Sequence, residues 1–499
     1  MTSRGLGAWL ASRRQASPDR TALIVGDAER VTYRELADRT EAVAAALAAD
    51  GIARGDRVAY LGENQPAFVE TLFACAMLGA VFVPLNTRLA VPELAYILDH
   101  SGAALLIYEP MMEGTAVAAA AERIPTRLQG AASGQVVANR PELADVGEDS
   151  PAVLLYTSGT TGRPKGAVLT HGNLTWNSVN VLVDVDIVST DVALIISPLF
   201  HAASLGMGLL PVLLKGAAAI LERSFDPGRA LHLIELHRVT MLSGVPTTFQ
   251  FLSEHPDWGT TDLSSLRKLT CGGSPVPTRV LEAYEARGLS FSQGYGMTET
   301  SPGATYLPAS MSRDKMGSAG ISHFFTSVRV ADGTGSEVER GVIGEIQISG
   351  PNVTLGYHDD EAATAAAFTT DGWFRSGDLG YLDADGFLHV SDRVKDMIIS
   401  GGENVYPAEV EDLIMGLDQV TGVAVVGVPD QRWGEVPWAV ATLQPGTTLT
   451  LADVATHLEG RLARFKIPKK LLVVETLPRT ASGKVRKVDL RRSIADTPE

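Results

Sequence analysis

The sequence predicts an α/β protein, with a large body of doubly wound sheets followed by a smaller α+β unit. Three observations carry this prediction. From Asp56 onward, short apolar stretches alternate with helical ones, the pattern of buried parallel strands joined by helices. The last hundred or so residues carry a different run, in which strands and one amphipathic helix follow closely. The 499 residues also exceed the usual single-domain length about threefold.

Taken in order, Val58-Ala59-Tyr60-Leu61 reads as a strand, Asn64 as the cap of a helix through Leu78, and Val81-Phe82-Val83 as the returning strand. Residues 104–108, 153–156 and 192–196 continue the series of doubly apolar strands. Residues 130–149 are polar and aperiodic, as expected of a surface linker. Two long apolar passages, 67–84 and 202–221, read as core rather than membrane spans. The first contains Glu70, and the second is broken by Pro211, Lys215 and several glycines. Near the C-terminus, 423–426, 438–441 and 471–474 are strands, and Leu451, Val454, Ala455, Leu458 and Leu462 line one helix face. The charged segment Asp392-Arg393-Val394-Lys395-Asp396, after the strand-like 387–390, marks the boundary between a body of residues 1–392 and a cap of residues 393–499.

Composition narrows the class of function. Lysine and arginine number 42 against 58 aspartates and glutamates, a net charge of −16, so a nucleic acid or anionic membrane would be repelled over most of the surface. Residues 1–15 lack the continuous apolar region of a secretory signal, and two cysteines cannot build a disulfide framework or a cysteine metal site. A reducing cytoplasm is the expected home, with small molecules as partners.

Tyr156-Thr157-Ser158-Gly159-Thr160-Thr161-Gly162-Arg163-Pro164-Lys165-Gly166 directly follows a predicted strand. Glycines permit tight turning, hydroxyls and amides can donate to phosphate oxygens, and Lys165 adds positive charge, so the segment reads as a phosphate cradle. It is not the common nucleotide-binding loop that ends Gly-Lys-Ser/Thr and opens a helix, because Pro164 intervenes and a strand-like Ala167-Val168-Leu169 follows.

Together with that loop, the chain carries in order Pro198-Leu199-Phe200-His201, Gly272-Gly273-Ser274-Pro275, Gly294-Tyr295-Gly296-Met297-Thr298-Glu299, Gly344-Glu345-Ile346, Gly372-Trp373-Phe374-Arg375-Ser376-Gly377-Asp378, Asp392-Arg393-Val394-Lys395 and Pro478-Arg479-Thr480-Ala481-Ser482-Gly483-Lys484. From Tyr33 to Lys487 it therefore resembles the adenylate-forming superfamily of acyl-CoA and aryl-CoA synthetases, peptide-synthetase adenylation domains and beetle luciferases. The resemblance implies a β-barrel-like part within the body and a mobile cap hinged near Lys395. It further implies that Thr157, Ser158, Gly159, Thr160, Thr161, Lys165, Gly273, Ser274, Pro275, Gly294, Gly296, Met297 and Val390 surround the nucleotide. Tyr295 would lie against adenine, Thr298 contact the α-phosphate, Glu299 hold Mg²⁺, and Asp378 and Arg393 bind ribose. Lys484 would reach both the substrate carboxylate and the phosphate. Such a lysine suits a reaction between two anions, where positioning and positive charge must carry catalysis. Gly401, Gly402 and Glu403 would belong to the face presented to CoA after the cap turns; a plain Gly-Gly turn before the helix opened by Pro407 fits the same residues.

His201 stands in a region where amino-acid-activating relatives generally carry an aspartate for the α-ammonium, so the resemblance points to a plain carboxylic acid, with His201 gating or lining its channel. Residues 202–208 and 244–248 are small and uncharged, which suits an aryl-propenoic or fatty acid and leaves a dicarboxylate without a counter-charge. Bacterial feruloyl-CoA and fatty acyl-CoA synthetases are the nearest resemblance. The expected activity is an ATP-dependent acid–CoA ligase, possessing ATP, Mg²⁺ and CoA sites and forming a homodimer. An adenylating enzyme with a different acceptor, such as a carrier-protein thiol, an amine or a small nitrogen nucleophile, is the alternative.

Overall fold

A computed structural model describes residues 5–130, 142–158, 163–272, 276, 278–393, 398–405, 407–478, 485 and 487–495. The chain divides into two compact units. The first comprises residues 1–87, 98–155 and 166–392; the second comprises residues 393–499 together with two short segments, 88–97 and 156–165.

The expected β-α-β unit lies in a six-stranded sheet, ordered Thr126–Leu128, Ala103–Tyr108, Arg57–Leu61, Val81–Leu85, Pro151–Ser158 and Pro164–Thr170. The first five are joined in parallel. Val58, Ala59, Tyr60 and Leu61 are all buried, as a central strand covered on both faces requires. The helix Pro66–Leu78 is apolar nearly all round and buried, and it stops at Gly79, whose φ of 68° only glycine adopts without strain. Its N-cap is Gln65 rather than Asn64. Asn64 is buried and instead hydrogen-bonds to the 197–199 segment, a tertiary use that no local pattern signals. The presumed surface linker also differs from expectation: within its described part Val146 is buried, and Ala144 donates to the Met77 carbonyl at 2.8 Å.

A nine-stranded sheet forms the other half of the body. Its order is Ile321–Ser322, Gly303–Leu307, Phe291–Gly296, Lys268–Gly272, Met241–Gly244, Val192–Ile195, Ala218–Leu221, Thr21–Val25 and Glu29–Thr32. The six central strands run parallel, with antiparallel strands at both edges. Chain order departs in both directions from Val192–Ile195, which makes that strand the switch point of the sheet; in such sheets ligands bind outside the strands' carboxyl ends. The apolar passage 202–221 becomes a π-helix at Ser204–Leu209, the helix Leu210–Lys215 and the strand Ala218–Leu221. Among the described residues no helix is long and apolar enough to cross a membrane.

The body also holds a four-stranded sheet, Ser327–Ala331, Gly344–Ser349, Phe374–Leu382 and Leu388–Arg393. Asp392 and Arg393, at the expected boundary, end the last of these strands. In the second unit, Val420–Asp430, Gly434–Leu443 and Lys470–Val473 match the three expected strands and share a sheet with Ile398–Ser400 and Glu403–Val405. The helix Leu451–Leu458 is shorter than its apolar face suggests; Leu462 lies beyond it yet is buried in the same core.

Candidate active site

Parallel pairing sets the carboxyl ends of Val192–Ile195, Met241–Gly244, Lys268–Gly272 and Phe291–Gly296 side by side. The segments that follow them contain His201, Thr248, Gly273 to Pro275, and Met297 to Glu299. Four stretches singled out in the sequence therefore leave one edge of one sheet.

Two carboxylates at this edge are held by tyrosines. Tyr295 donates its hydroxyl to Asp378 Oδ2 at 2.7 Å, and Asp378 is further fixed because its amide donates to Ser376 Oγ at 3.0 Å. Tyr357 donates to Glu299 Oε1 at 2.8 Å, while the Glu299 carbonyl accepts from the Thr354 amide at 2.8 Å. The chain reaches this arrangement by close backbone approach at Gly296, where a Cβ would lie 1.8 Å from the Pro302 carbonyl oxygen. Thr298 and Glu299 sit in the single 3₁₀ turn Thr298–Thr300, and the Met297 amide donates to Thr300 Oγ1 at 3.0 Å.

Beneath the edge lies a row of buried amides that the sequence reading missed. Asn173, Asn177 and Asn180 share one face of the helix His171–Asp184. Asn173 donates to the carbonyls of Pro351 and Val353, at 2.8 and 2.7 Å. Asn177 accepts from Gly303 N–H at 3.0 Å and donates to the Gly206 carbonyl at 2.8 Å. Asn180 accepts from Phe325 N–H at 2.8 Å. Asn352 adds bonds to the carbonyls of Thr300 and Gly303, at 2.8 and 2.6 Å. Buried backbone groups in irregular segments need such partners, since each one left unmade costs about 1–3 kcal/mol. The spacing of four and three residues that sets three asparagines on one face of this helix was the signal available.

Asn64 plays the same part beside His201: it donates to the Ser197 carbonyl at 2.9 Å and accepts from Leu199 N–H at 2.8 Å. The His201 ring meets Phe200 edge-on, with centroids 4.8 Å apart. Within the small, uncharged stretch 202–208, Gly206 is a packing contact, for a Cβ there would fall 2.3 Å from the Ser301 carbonyl oxygen. Cys271, at the end of its strand, is no nucleophile: burial pushes its thiol far up from its ordinary pKa.

Thr157 and Ser158 end the strand Pro151–Ser158, and Lys165 lies at the start of Pro164–Thr170. These residues belong to the second unit, where Tyr96 donates to the Pro164 carbonyl at 3.3 Å and the Arg163 guanidinium sits 5.8 Å from the Tyr96 ring centre. Gly401 and Gly402 have φ of 59° and 83°, and a Cβ on Gly401 would be 2.7 Å from the Trp433 ring, so the turn itself calls for glycine. Glu403 is buried and paired with Arg88. Glu409, in the first turn of the helix Pro407–Ile414, is buried on Lys466, which it meets at 2.9 Å; Glu93 meets the same ammonium at 2.7 Å. Val390 is part of the strand Leu388–Arg393 and is exposed. Gly159, Thr160, Thr161, Gly273, Ser274, Pro275, Lys395, Lys484 and the side chains of Ser158 and Arg393 lie outside the described residues.

Residues 10–358 match the family described as AMP-binding enzyme, and residues 409–484 match the C-terminal domain of such enzymes. The chain belongs to the AMP-binding enzyme family. This AMP-binding enzyme is 51% identical over 494 residues to a feruloyl-CoA synthase of Amycolatopsis sp, covering 99% of both chains. It is 41% identical to the indoleacetate–CoA ligase of Aromatoleum aromaticum, covering 98% of each. Among solved structures, o-succinylbenzoate CoA synthetase of Bacillus subtilis with a bound product analogue is similar at a TM-score of 0.89 and 36% identity, covering 97% of this chain and 98% of that one. The AMP-binding enzyme described here is thus an AMP-forming acid–CoA ligase that works through an acyl-AMP and uses ATP, Mg²⁺ and CoA.

The residues at the sheet edge suit such cofactors. Glu299 offers a hard carboxylate oxygen, oriented by the Tyr357 hydroxyl. That donor set matches Mg²⁺, which commonly takes one or two carboxylates and completes its shell with phosphate oxygens and water.

Proposed function

We propose that this enzyme activates a hydroxycinnamic acid such as ferulate and transfers it to CoA. The observation that carries the reading is the 51% identity to feruloyl-CoA synthases, which runs through 99% of both chains. The residues after the strand ends support it. Segments 197–209 and 244–252 contain no lysine or arginine, so they suit an acid whose far end is uncharged.

In this reading the acid's carboxylate attacks the α-phosphorus of ATP, forming a C–O–P bond and expelling pyrophosphate. Tyr295 lies along adenine while its hydroxyl steadies Asp378, whose carboxylate accepts from the ribose hydroxyls. Thr298 donates to the α-phosphate, and Glu299 would hold Mg²⁺. The metal, when bound, supplies positive charge to the phosphates. Lys484 draws the two anions together, with Thr157 to Thr161 and Lys165 around the departing phosphates and His201 beside the acyl group. The cap of residues 393–499 then turns about Lys395 and presents Gly401 to Glu403 to CoA. Its thiol gives up a proton and attacks the acyl carbonyl, and AMP leaves.

The reading includes a cytoplasmic location, consistent with two free, buried cysteines, and a homodimer that light scattering on the purified protein tests. The deciding experiment measures AMP release from cinnamic, benzoic, aliphatic and dicarboxylic acids, with and without CoA. Hydroxycinnamates should give the highest kcat/KM and require CoA for turnover; a preference for aliphatic or dicarboxylic acids would sink the assignment. Lys484→Ala should slow acyl-AMP formation by about 100-fold or more while sparing thioester formation from preformed acyl-AMP; equal loss in both steps contradicts a turning cap.

A further inference from the structure

The mechanism above gives Tyr357 no part, yet the structure places its hydroxyl 2.8 Å from Glu299 Oε1. Tyr357 is firmly held. Its amide donates to Thr364 Oγ1 at 2.9 Å, and its neighbours Gly356 and His358 are bonded across to Val168 and Gly166, at 2.9 and 2.8 Å. A single loop thus fixes Glu299 twice, through the carbonyl by Thr354 and through the carboxylate by Tyr357.

The chemistry of the donor is informative. An arginine or lysine in this place would also orient the carboxylate, but it would cancel the charge that a cation needs. A phenol, with its ordinary pKa near 10, stays neutral at physiological pH and donates one directional bond. It occupies lone-pair capacity on one oxygen and leaves the negative charge of the group intact. Carboxylates that ligate metals are commonly oriented by such outer hydrogen bonds.

We propose that Tyr357 is a positioning residue for the metal: it locks the Glu299 carboxylate in the orientation that takes Mg²⁺ together with the nucleotide phosphates. This rests on the reading of Glu299 as the Mg²⁺ carboxylate. The experiment uses the full-length enzyme loaded with an ATP analogue carrying a methylene bridge between the α- and β-phosphates, so that no chemistry occurs, and follows Mg²⁺ binding by calorimetry. Tyr357→Phe, which removes only the hydroxyl, should weaken Mg²⁺ binding by about 10-fold, and analogue binding measured in EDTA should stay within about 2-fold of wild type. Mg²⁺ affinity unchanged in Tyr357→Phe but lowered in Glu299→Gln overturns the proposal alone. Mg²⁺ affinity unchanged in both variants overturns the Glu299 assignment and the proposal with it. Equal weakening of the analogue with and without Mg²⁺ marks a merely structural role and also overturns it.

Discussion

Buried or half-buried carboxylates are held in two contrasting ways in this protein. In the body, Asp378 and Glu299 each accept from a tyrosine hydroxyl, at 2.7 and 2.8 Å. In the second unit, Glu93 and Glu409 close on the ammonium of Lys466, which is only 3% exposed. The difference follows from what each group has to do. In the proposed mechanism Asp378 and Glu299 serve a ribose and a cation, and a phenol orients a carboxylate without adding a positive charge of its own. A carboxylate buried for architecture must be neutralised, because an unpaired charge out of water is costly. The triad still carries two acids for one base. Burial accordingly pushes the Glu409 carboxyl well above its ordinary range against the pull of Lys466, while the two acids hold the Lys466 ammonium above its own ordinary value despite the opposing effect of burial.

The largest expected effect breaks the neutralised cluster. Lys466→Met should cost about 3–5 kcal/mol in chemical denaturation, because two buried carboxylates lose their partner. Adding Glu93→Gln and Glu409→Gln to that variant should recover most of the loss. If Lys466→Met alone unfolds no more easily than wild type, the contrast drawn here is wrong.

A second test uses the opposite signs of pH response. His171 is buried in the body and accepts from Leu6 N–H at 3.2 Å, and burial lowers its pKa from 6.5 to about 4. A base held neutral in this way stabilises the fold above its ordinary pKa. That contribution is lost as pH falls from 6.5 through about 4, and reaches on the order of 3 kcal/mol when complete. Glu409 runs the other way: a raised carboxyl favours the fold at low pH, and its contribution fades as pH rises through the folded value. Hydrogen exchange resolved by region should therefore show the helix beginning at His171 loosening on acidification, while the helix Pro407–Ile414 does not. His171→Gln should flatten the body's acid limb.

Smaller effects probe the neutral donors. Asn177→Ala should cost about 1–3 kcal/mol, since it strands the Gly303 amide and the Gly206 carbonyl in the interior. Tyr295→Phe should cost only about 0.5–1.5 kcal/mol of stability. Its larger consequence should appear as a raised KM for ATP with the thermal midpoint nearly unchanged. A midpoint shift as large as that of Asn177→Ala would place Tyr295 among the structural donors instead.

Much of the architecture could be read directly because it follows from periodicity. The strands at 58–61, 104–108 and 192–195 are apolar on consecutive residues, and only a sheet covered on both faces accommodates that. The motifs around Tyr295, Glu299 and Asp378 were legible for a similar reason, as ordered combinations of glycine, hydroxyl and carboxylate residues. Asn64 was misread because a polar residue before a helix is ordinarily its cap, whereas here its partners lie more than 130 residues away. The close approach of the Ser301 backbone to Gly206 was invisible for the same reason, since nothing local to residues 202–208 announces it.

By itself, then, the sequence determined the α/β class, three strands of the C-terminal unit and the ordered motifs that mark the family, all of which are local patterns. Only the tertiary structure decided which donors hold those residues: Tyr357 for Glu299, Tyr295 for Asp378, the asparagine row for the loops beneath them, and Lys466 for the two buried acids. Hydrogen bonds and ion pairs act over about 3 Å in space whatever the separation along the chain. A partner 58 residues away, as Tyr357 is from Glu299, therefore becomes visible only once the fold has closed that distance.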